Sequence, residues 1–240
     1  MKLKYSKKEL ENFKKFMKMK DLHWEIEKKL IIKSTRYLKY IRWVPWLRMV
    51  AIWNSVAMNS ANSNSDIDLF IVTSPNRLWT VRIFITLIFQ ILWVRKTKNK
   101  HAERFCLSFF ASTNVLNFEN IAIENDIYLY FWILYLRPIL NYNNTYEKFL
   151  KENEKWCDFS SYDEILKTSS SLIYFEEKRK NNNNIFLDFL EKILKSIFYP
   201  KTKKSQEKNW MLFWEIINND MLKFHKEDKR KEIRDKIYKN

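Results

Sequence analysis

The chain has 240 residues, 46% of them hydrophobic and 17% aromatic, so it can bury a core and is not globally disordered. Its formal net charge of +16 is typical of proteins that bind nucleic acid or an anionic membrane surface, although the enrichment in Lys, Asn and Ile also fits an AT-rich genome. The two cysteines, Cys106 and Cys157, are expected to form neither a disulfide framework nor a metal site, and Cys106, within an apolar run, is predicted to be a small buried hydrophobic residue. The first residues lack the apolar segment of a signal peptide, so we expect a cytoplasmic protein.

The absence of glycine is the most unusual feature of the composition. Turns and helix C-termini need residues that tolerate positive φ, and Asn, the next best residue, abounds at the expected turns. Trp is also frequent, with ten residues, and two of them stand where glycine is typical: Trp93 follows a helical run and Trp46 follows Pro45 in a turn. We hypothesise that some of these tryptophans are UGA codons that the source organism translates as glycine. A protein truly free of glycine is the alternative.

The N-terminal residues 1–44 are predicted to be helical. Apolar side chains in residues 5–33 recur every three to five positions, which fits one or two amphipathic helices. Ser34 is predicted to cap a further helix, Thr35–Val44, which Pro45 ends.

The central part of the chain alternates between strands and helices. A β-compatible run, Arg48–Trp53, precedes a polar loop, Asn54–Ser65, and a buried strand at Leu69–Val72. The apolar segment Leu78–Val94 is predicted to be a helix that covers the sheet, and Arg104–Phe110 is predicted to be the next strand. This order predicts an α+β fold, in which helices pack on a small mixed sheet.

The rest of the chain is predicted to be mostly helical. Helices are expected from Ile127 to Arg137, over Tyr146–Trp156, and over Ile185–Tyr199, where Pro200 would end the helix. Residues 176–184 are predicted to be a solvated linker, and the charged tail from Lys226 a solvated or frayed helix. We therefore divide the chain into N-terminal helices (1–44), a core (45–120) and a C-terminal region (121–240).

Asp66 and Asp68 are the residues most indicative of function. On a strand, residues two apart point to the same face, so both carboxylates project together. Adjacent carboxylates repel each other unless a cation lies between them, and Mg²⁺ prefers such oxygen ligands and is often shared with phosphates. The pair is therefore predicted to bind Mg²⁺, with Mn²⁺ as a second option.

Four further residues are candidates for binding a nucleotide. A tight turn at Asn54 and Ser55 would aim backbone N–H groups and the Ser55 hydroxyl at a phosphate. Ser65 adjoins Asp66 in the same loop. Arg77, like Arg82, could bind phosphate through its guanidinium group, and ordinary solvation at a helix end is the alternative.

The pattern of an apolar strand, Asn-Ser, a short polar loop, Ser-Asp-Ile-Asp and four apolar residues resembles the signature of the nucleotidyltransferase superfamily, which includes polymerase-β-like and minimal nucleotidyltransferases. The match covers about residues 48–73, and the order of elements extends it to about residue 110. The segments Arg104–Phe110 and Asp220–His225 also resemble an uncharacterised bacterial group that carries such a domain. The resemblance implies a nucleoside triphosphate substrate, with Asp66 and Asp68 as catalytic metal ligands.

Two departures from the family pattern bear on activity. Asn54 replaces the usual glycine, and its side chain is expected to compete for the phosphate site. The third carboxylate that the family often places on the next strand has no counterpart in Arg104–Phe110, where Ser108 stands at the position of interest. Glu103 and Glu119 flank this strand.

The leading hypothesis is a Mg²⁺-dependent nucleotidyltransferase that transfers a nucleoside monophosphate to a hydroxyl acceptor. A degenerate domain that binds nucleotide or RNA is one alternative. A membrane-associated protein is another, because Leu78–Val94 is just long enough to span a bilayer, although Arg82 and Gln90 within it would be costly there.

The basic loop, two of the histidines and the aromatic segment remain to be interpreted. The basic loop of Lys96, Lys98, Lys100 and His101 could contact a triphosphate or a polynucleotide, with simple solvation as the alternative. His23 and His225 are assigned no ligand role. The aromatic residues of Ile127–Leu136 recur on all faces, which favours core packing over base stacking.

Overall fold

The computed structural model describes residues 2–20, 25–179, 185–207, 214–225 and 228–238. It is a mixed α/β structure with one seven-stranded sheet in the order β5-β4-β1-β2-β3-β7-β6. The strands are β1 (Leu47–Trp53), β2 (Ile67–Thr73), β3 (Phe105–Ser112), β4 (Arg137–Tyr142), β5 (Phe175–Glu177), β6 (Trp214–Ile217) and β7 (Met221–His225). The helices are α1 (Lys7–Met17), α2 (Glu25–Leu38), α3 (Asn54–Ala57), α4 (Leu78–Ile91), α5 (Ile127–Leu134), α6 (Thr145–Asn153), α7 (Asp163–Ser170), α8 (Ile185–Glu207) and α9 (Arg230–Tyr238).

The centre of the sheet is buried on both faces. β2 pairs antiparallel with β1 and parallel with β3, and every residue of β1 and β2 is buried. This explains why both strands are continuous apolar runs rather than alternating ones. The predicted strands at Arg48–Trp53 and Leu69–Val72 lie within β1 and β2.

Two apolar clusters lie on opposite sides of the sheet. On one side α4 covers Leu69 and Ile71 with Val81, Ile85 and Phe89. The predicted role of this helix as a cover for the sheet is therefore confirmed. Among the helices that the structure describes, none is long and apolar enough to cross a membrane.

The other cluster is rich in aromatic side chains. Trp132 of α5 contacts Trp53, Phe70 and Phe109, with ring centroids 5.3 to 5.8 Å apart. All residues of α5 except Tyr128 are buried. Core packing, the favoured interpretation of Ile127–Leu136, is confirmed.

The predicted cap at Ser34 is wrong. Ser34 is a buried residue within α2, and its hydroxyl donates a hydrogen bond to the carbonyl oxygen of Leu30 at 2.8 Å. Serine is a common helix N-cap, which is why a new helix was predicted to begin after Ser34. Burial of Leu30 and Leu38 on one helix face instead keeps α2 continuous through Ser34. Ser6 caps α1 instead, in a reciprocal pair with Glu9.

The C-terminal half contributes strands to the sheet as well as helices. Residues after Arg137 form β4, which pairs with β1 although it contains Pro138. Pro200 does not end α8, which continues to Glu207. Within the predicted linker 176–184, Glu176 and Glu177 belong to β5, while residues 180–184 lie outside the described part.

The predicted solvated tail packs against the core. Arg230, Ile233 and Ile237 of α9 are buried, because this helix lies against α1 and α5. The other charged residues of α9 occupy the remaining face, so the segment is an amphipathic helix. Its composition alone did not indicate this.

Candidate metal and nucleotide site

The two aspartates lie at one end of the sheet, where three strands supply neighbouring side chains. In the strand register, Asp68 is opposite Trp53 at the end of β1 and opposite Cys106 at the start of β3. Asp66 immediately precedes β2. Oxygen atoms of both carboxylates and the sulfur of Cys106 all lie within 4.8 Å of one another.

Asn54 positions Asp68 from the end of β1. Its backbone takes the left-handed conformation, with φ of 57°, which Asn tolerates better than most residues other than glycine. Its Nδ2 donates a hydrogen bond to Asp68 Oδ2 at 2.9 Å, and its Oδ1 accepts one from the Tyr128 hydroxyl at 2.9 Å. The side chain therefore faces the carboxylate, and in this arrangement it supports the acidic pair.

Ser55 and Ser65 belong to the connection between β1 and β2. Its first residues, Asn54 to Ala57, form α3 rather than the start of the predicted loop, so Ser55 is helical and Ser65 lies in the loop that follows. The Ser55 carbonyl accepts a hydrogen bond from the Ser60 amide at 2.8 Å. The Ser65 hydroxyl accepts one from the Asn62 amide at 2.9 Å, and the Ser65 carbonyl accepts one from the Glu103 amide at 2.8 Å. Both residues thus shape the loop beside the aspartates, and Ser65 joins it to the segment before β3.

A basic segment forms a wall of the site next to Asp66. Lys96 Nζ donates a hydrogen bond to Asp66 Oδ2 at 2.6 Å, and the Lys96 amide is bonded to the Phe105 carbonyl at 2.9 Å. A cleft of about 710 Å³ lies beside this wall and the aspartates. The residues that line it are Asp66, Asp68, Arg95, Lys96, Thr97, Lys98, His101, Cys106, Ser108 and Phe224.

Burial and like charge raise the pKa of Asp68. Only 8% of the residue is exposed, and burial together with the charge of Asp66 raises the pKa to about 6. Burial lowers the pKa of Lys96, but its hydrogen bond to Asp66 and the negative charges of Asp66 and Asp68 together outweigh this, so that the pKa is raised overall. The site therefore combines a destabilised carboxylate with an ammonium group that partly neutralises the pair.

No further carboxylate joins this cluster in the part of the chain that the structure describes. Glu103 instead forms ion pairs with Lys29 and Lys33, at 2.6 and 3.5 Å. Glu119 lies in a single 3₁₀ turn after β3. Cys106 is only partly buried, so the prediction of a buried residue is wrong. It also stands beside Asp68 in a group of side chains that could hold a metal ion, which the expectation of no cysteine metal site did not foresee.

Arg77 does not belong to this site. β2 leads away from Asp68 toward Thr73, and at 3.3 Å per residue the far end of the strand lies roughly 17 Å away. Arg77 follows that end, where it is buried, forms an ion pair with Asp188 at 2.5 Å, and lies over the ring of Trp46. Its predicted contact with the nucleotide is therefore wrong, and the residue holds α8 against the sheet.

The remaining basic candidates differ in position. His101 lines the cleft with Lys96 and Lys98. The guanidinium of Arg82 lies 4.6 Å from the ring of Phe224, and burial lowers the pKa of Arg82 to about 10. His23 lies outside the described residues.

Two residues near the site were not predicted from the sequence. Tyr128 supports Asn54, but it occurs within a uniformly aromatic helix and nothing in the pattern distinguishes it. Lys223 of β7 is fully buried, with its Nζ 5.6 and 5.4 Å from the ring centroids of Trp53 and Phe109, and burial strongly lowers its pKa. The position of a single lysine within the apolar run Met221–Phe224 was the feature of the sequence that could have indicated a buried lysine.

No protein-family model, curated protein or solved structure matches this chain.

Proposed function

We propose that the protein is a divalent-cation-dependent nucleotidyltransferase that transfers a nucleoside monophosphate from a nucleoside triphosphate to a hydroxyl acceptor. The observation that carries the proposal is the position of Asp66 and Asp68 in a cleft that basic residues also line. The carboxylates offer oxygen ligands to a cation, and the basic wall offers positive charge to a triphosphate. The resemblance of residues 48–73 to the nucleotidyltransferase signature supports the same function.

In the proposed reaction, the acceptor oxygen forms a bond to the α-phosphorus. The bond from that phosphorus to the oxygen bridging to the β-phosphorus breaks, pyrophosphate leaves, and the hydroxyl proton passes to water. Mg²⁺ or Mn²⁺ held by Asp66 and Asp68 would neutralise phosphate charge. Asn54 keeps the Asp68 carboxylate in place, and Lys96, once released from Asp66, would direct its charge to the phosphates.

A degenerate domain that binds nucleotide or RNA without turnover is the second candidate. The observation that favours it is the lack of a third carboxylate beside Asp66 and Asp68 among the described residues. The two candidates share the binding step and differ in whether a nucleotidyl group is transferred.

Thermal shift with each of the four NTPs, with and without Mg²⁺ or Mn²⁺, tests the binding step. We expect a cation-dependent rise in melting temperature that the double substitution Asp66→Ala/Asp68→Ala abolishes. Asp163→Ala, at an exposed residue of α7, is the matched control and should leave the response intact. The absence of any response in the wild type would contradict both candidates.

Incubation with α-labelled and γ-labelled NTPs separates enzyme from binder. Total RNA and the protein itself serve as acceptors. Nucleotidyl transfer predicts that the α-label is incorporated and the γ-label is not. Binding without incorporation of either label would favour the degenerate domain.

A further inference from the structure

Cys106 occupies the position beside Asp68 where a third ligand would lie. The parallel register of β2 and β3 pairs Asp68 directly with Cys106, which places the two side chains on the same face of the sheet. The Cys106 sulfur lies within 4.8 Å of oxygen atoms of both Asp66 and Asp68. Three donor atoms from two adjacent strands therefore converge on one point of the cleft.

Ser108 gives an independent indication that this point accommodates a ligand. The residue lines the same cleft and is only 7% exposed. Its hydroxyl lies beside the Cys106 thiol, and it makes no hydrogen bond of full geometry to oxygen or nitrogen in the described part of the chain. Burial of a hydroxyl whose hydrogen-bonding capacity is not fully used is unfavourable. A cation with its bound water or phosphate would satisfy this group.

The chemistry of the three donors differs from that of an all-carboxylate site. Carboxylate oxygens suit Mg²⁺ and Mn²⁺, whereas a thiolate selects metals of the Zn²⁺, Co²⁺ and Cd²⁺ type. The third donor therefore changes which cation the site prefers.

We propose that Cys106 is the third ligand of the cation held by Asp66 and Asp68, so that the site binds a divalent transition metal of the Zn²⁺ or Co²⁺ class more tightly than Mg²⁺. The inference refines the proposed nucleotidyltransferase function. Binding breaks the S–H bond of Cys106, forms a sulfur–metal bond and releases the proton to solvent. The Lys96 ammonium leaves Asp66 in the same event, because cation and ammonium compete for one carboxylate.

Titration of the reduced, chelator-treated full-length protein with Co²⁺ tests this ligand set. A cobalt–thiolate bond produces a near-ultraviolet charge-transfer absorption that a site of oxygen ligands lacks. We expect this absorption to saturate at one Co²⁺ per chain in the wild type and to disappear in Cys106→Ser. Cys157→Ser is the matched control, since Cys157 is the other thiol and is buried in the aromatic cluster away from the site.

Competition experiments measure the preference. We expect Mg²⁺ to displace Co²⁺ from the wild type only at a concentration at least a hundredfold higher. At about 1.4 kcal/mol per tenfold change in affinity, this preference corresponds to at least about 2.8 kcal/mol. Cys106→Asp should bring the two cations at least tenfold closer in affinity, by restoring an oxygen ligand. Circular dichroism and melting temperature of Cys106→Ser and Cys106→Asp check that both variants are folded.

Three results would overturn the inference. They are a charge-transfer absorption that persists in Cys106→Ser, one that is lost in Cys157→Ser, and Co²⁺ binding to the wild type without this absorption. The proposed function fails separately, through the absence of a nucleotide response in the thermal shift with Mg²⁺, Mn²⁺ and Co²⁺ alike. A cobalt–thiolate absorption without nucleotide binding would support the metal ligand set while rejecting the transferase.

Discussion

Asp68 illustrates how the fold holds a functional group in an unfavourable environment. Burial and the neighbouring charge of Asp66 raise its pKa from 3.8 to about 6. The folded state therefore binds a proton more tightly than the unfolded chain, and the free energy of unfolding falls as the pH rises from 3.8 to about 6. Above pH 6, without a bound cation, the ionised group lowers stability by about 2 to 3 kcal/mol.

Asp68→Asn should stabilise the protein in chelator at pH 7.5 by about 2 to 3 kcal/mol, because the amide is neutral and can still accept the hydrogen bond from Asn54. The gain should vanish at pH 3.5, where Asp68 is protonated in both states. Urea unfolding at the two pH values measures this difference. The control Asp163→Asn should change the free energy of unfolding by less than about 1 kcal/mol at either pH. An Asp68→Asn variant no more stable than the wild type at pH 7.5 would refute the prediction.

Trp46 and Trp93 have backbone conformations that favour glycine. Their φ angles are 61° and 56°, whereas six of the ten described residues with positive φ are Asn. Trp93 follows the C-terminus of α4, where the amide of Val94 reaches back to the Phe89 carbonyl at 3.1 Å, as in a glycine-terminated helix. The Trp93 side chain is 83% exposed and contributes little burial. Both positions support the hypothesis that these tryptophans are glycines in the native protein.

Trp93→Gly should stabilise the protein by about 1 kcal/mol, since the left-handed conformation costs a residue with a Cβ roughly 1 to 2 kcal/mol. Trp46→Gly should give a smaller gain, because it also loses the contact with Arg77. Trp132→Gly, in the aromatic core, should instead cost at least about 3 kcal/mol. Chemical denaturation compares the three. Destabilisation by Trp93→Gly would contradict the conformational argument, and an intact mass of the native protein that matches ten tryptophans would reject the recoding.

At the scale of elements, a residue from a distant helix caps α4. Arg77, at the N-cap, offers no side-chain hydrogen bond to the free amides of the first turn. Glu191 of α8 accepts hydrogen bonds from the amides of Trp79 and Thr80, at 2.9 and 2.7 Å, and from the Thr80 hydroxyl at 2.6 Å. A carboxylate at the positive end of the helix dipole is stabilising, so Glu191 both caps α4 and attaches α8 to it.

Glu191→Ala should cost about 1.5 to 3 kcal/mol, because it leaves buried N–H groups without an ionised partner. Hydrogen exchange at the Trp79 and Thr80 amides should accelerate more than exchange in β2. Lys192→Ala is the control, because Lys192 is exposed one residue further along α8. Unchanged exchange at Trp79 and Thr80 would show that another group caps the helix.

At the scale of the whole molecule, the central strands depend on chain segments far away in sequence. β1 pairs with β4 on one side, and β3 pairs with β7 on the other. Trp53 and Phe70 also pack against Trp132 and Phe149, which lie outside residues 45–120. The site is therefore built on strands that the C-terminal half completes.

The isolated fragment 45–120 should not fold. It would expose two sheet edges and the apolar face that α5 covers, and such surfaces favour aggregation. Circular dichroism and one-dimensional proton NMR of the fragment, compared with the full chain, test this. A soluble fragment with dispersed amide signals would show that the C-terminal strands are dispensable.

Much of the central region could be predicted from local patterns. The apolar runs predict β1 and β2, because burial on both faces favours apolar residues along a strand. The longer apolar segment predicts α4. Asp66 and Asp68 could be selected because their spacing on a strand places both carboxylates on one side. The left-handed backbone at Asn54 was likewise expected at a position of glycine.

Other features depend on contacts between residues distant in sequence, which no local pattern encodes. β4 is a strand because it pairs with β1, despite Pro138, and α9 is ordered because α1 and α5 receive its apolar face. The sequence predicted that Arg77 binds phosphate. The direction of β2 places Arg77 instead at the end of the strand that is far from Asp68. The sequence by itself determined the acidic pair and the strand that bears it. Only the tertiary structure decided which side chains face that pair, because strand register brought Cys106 to Asp68 and the segment after α4 set Lys96 against Asp66.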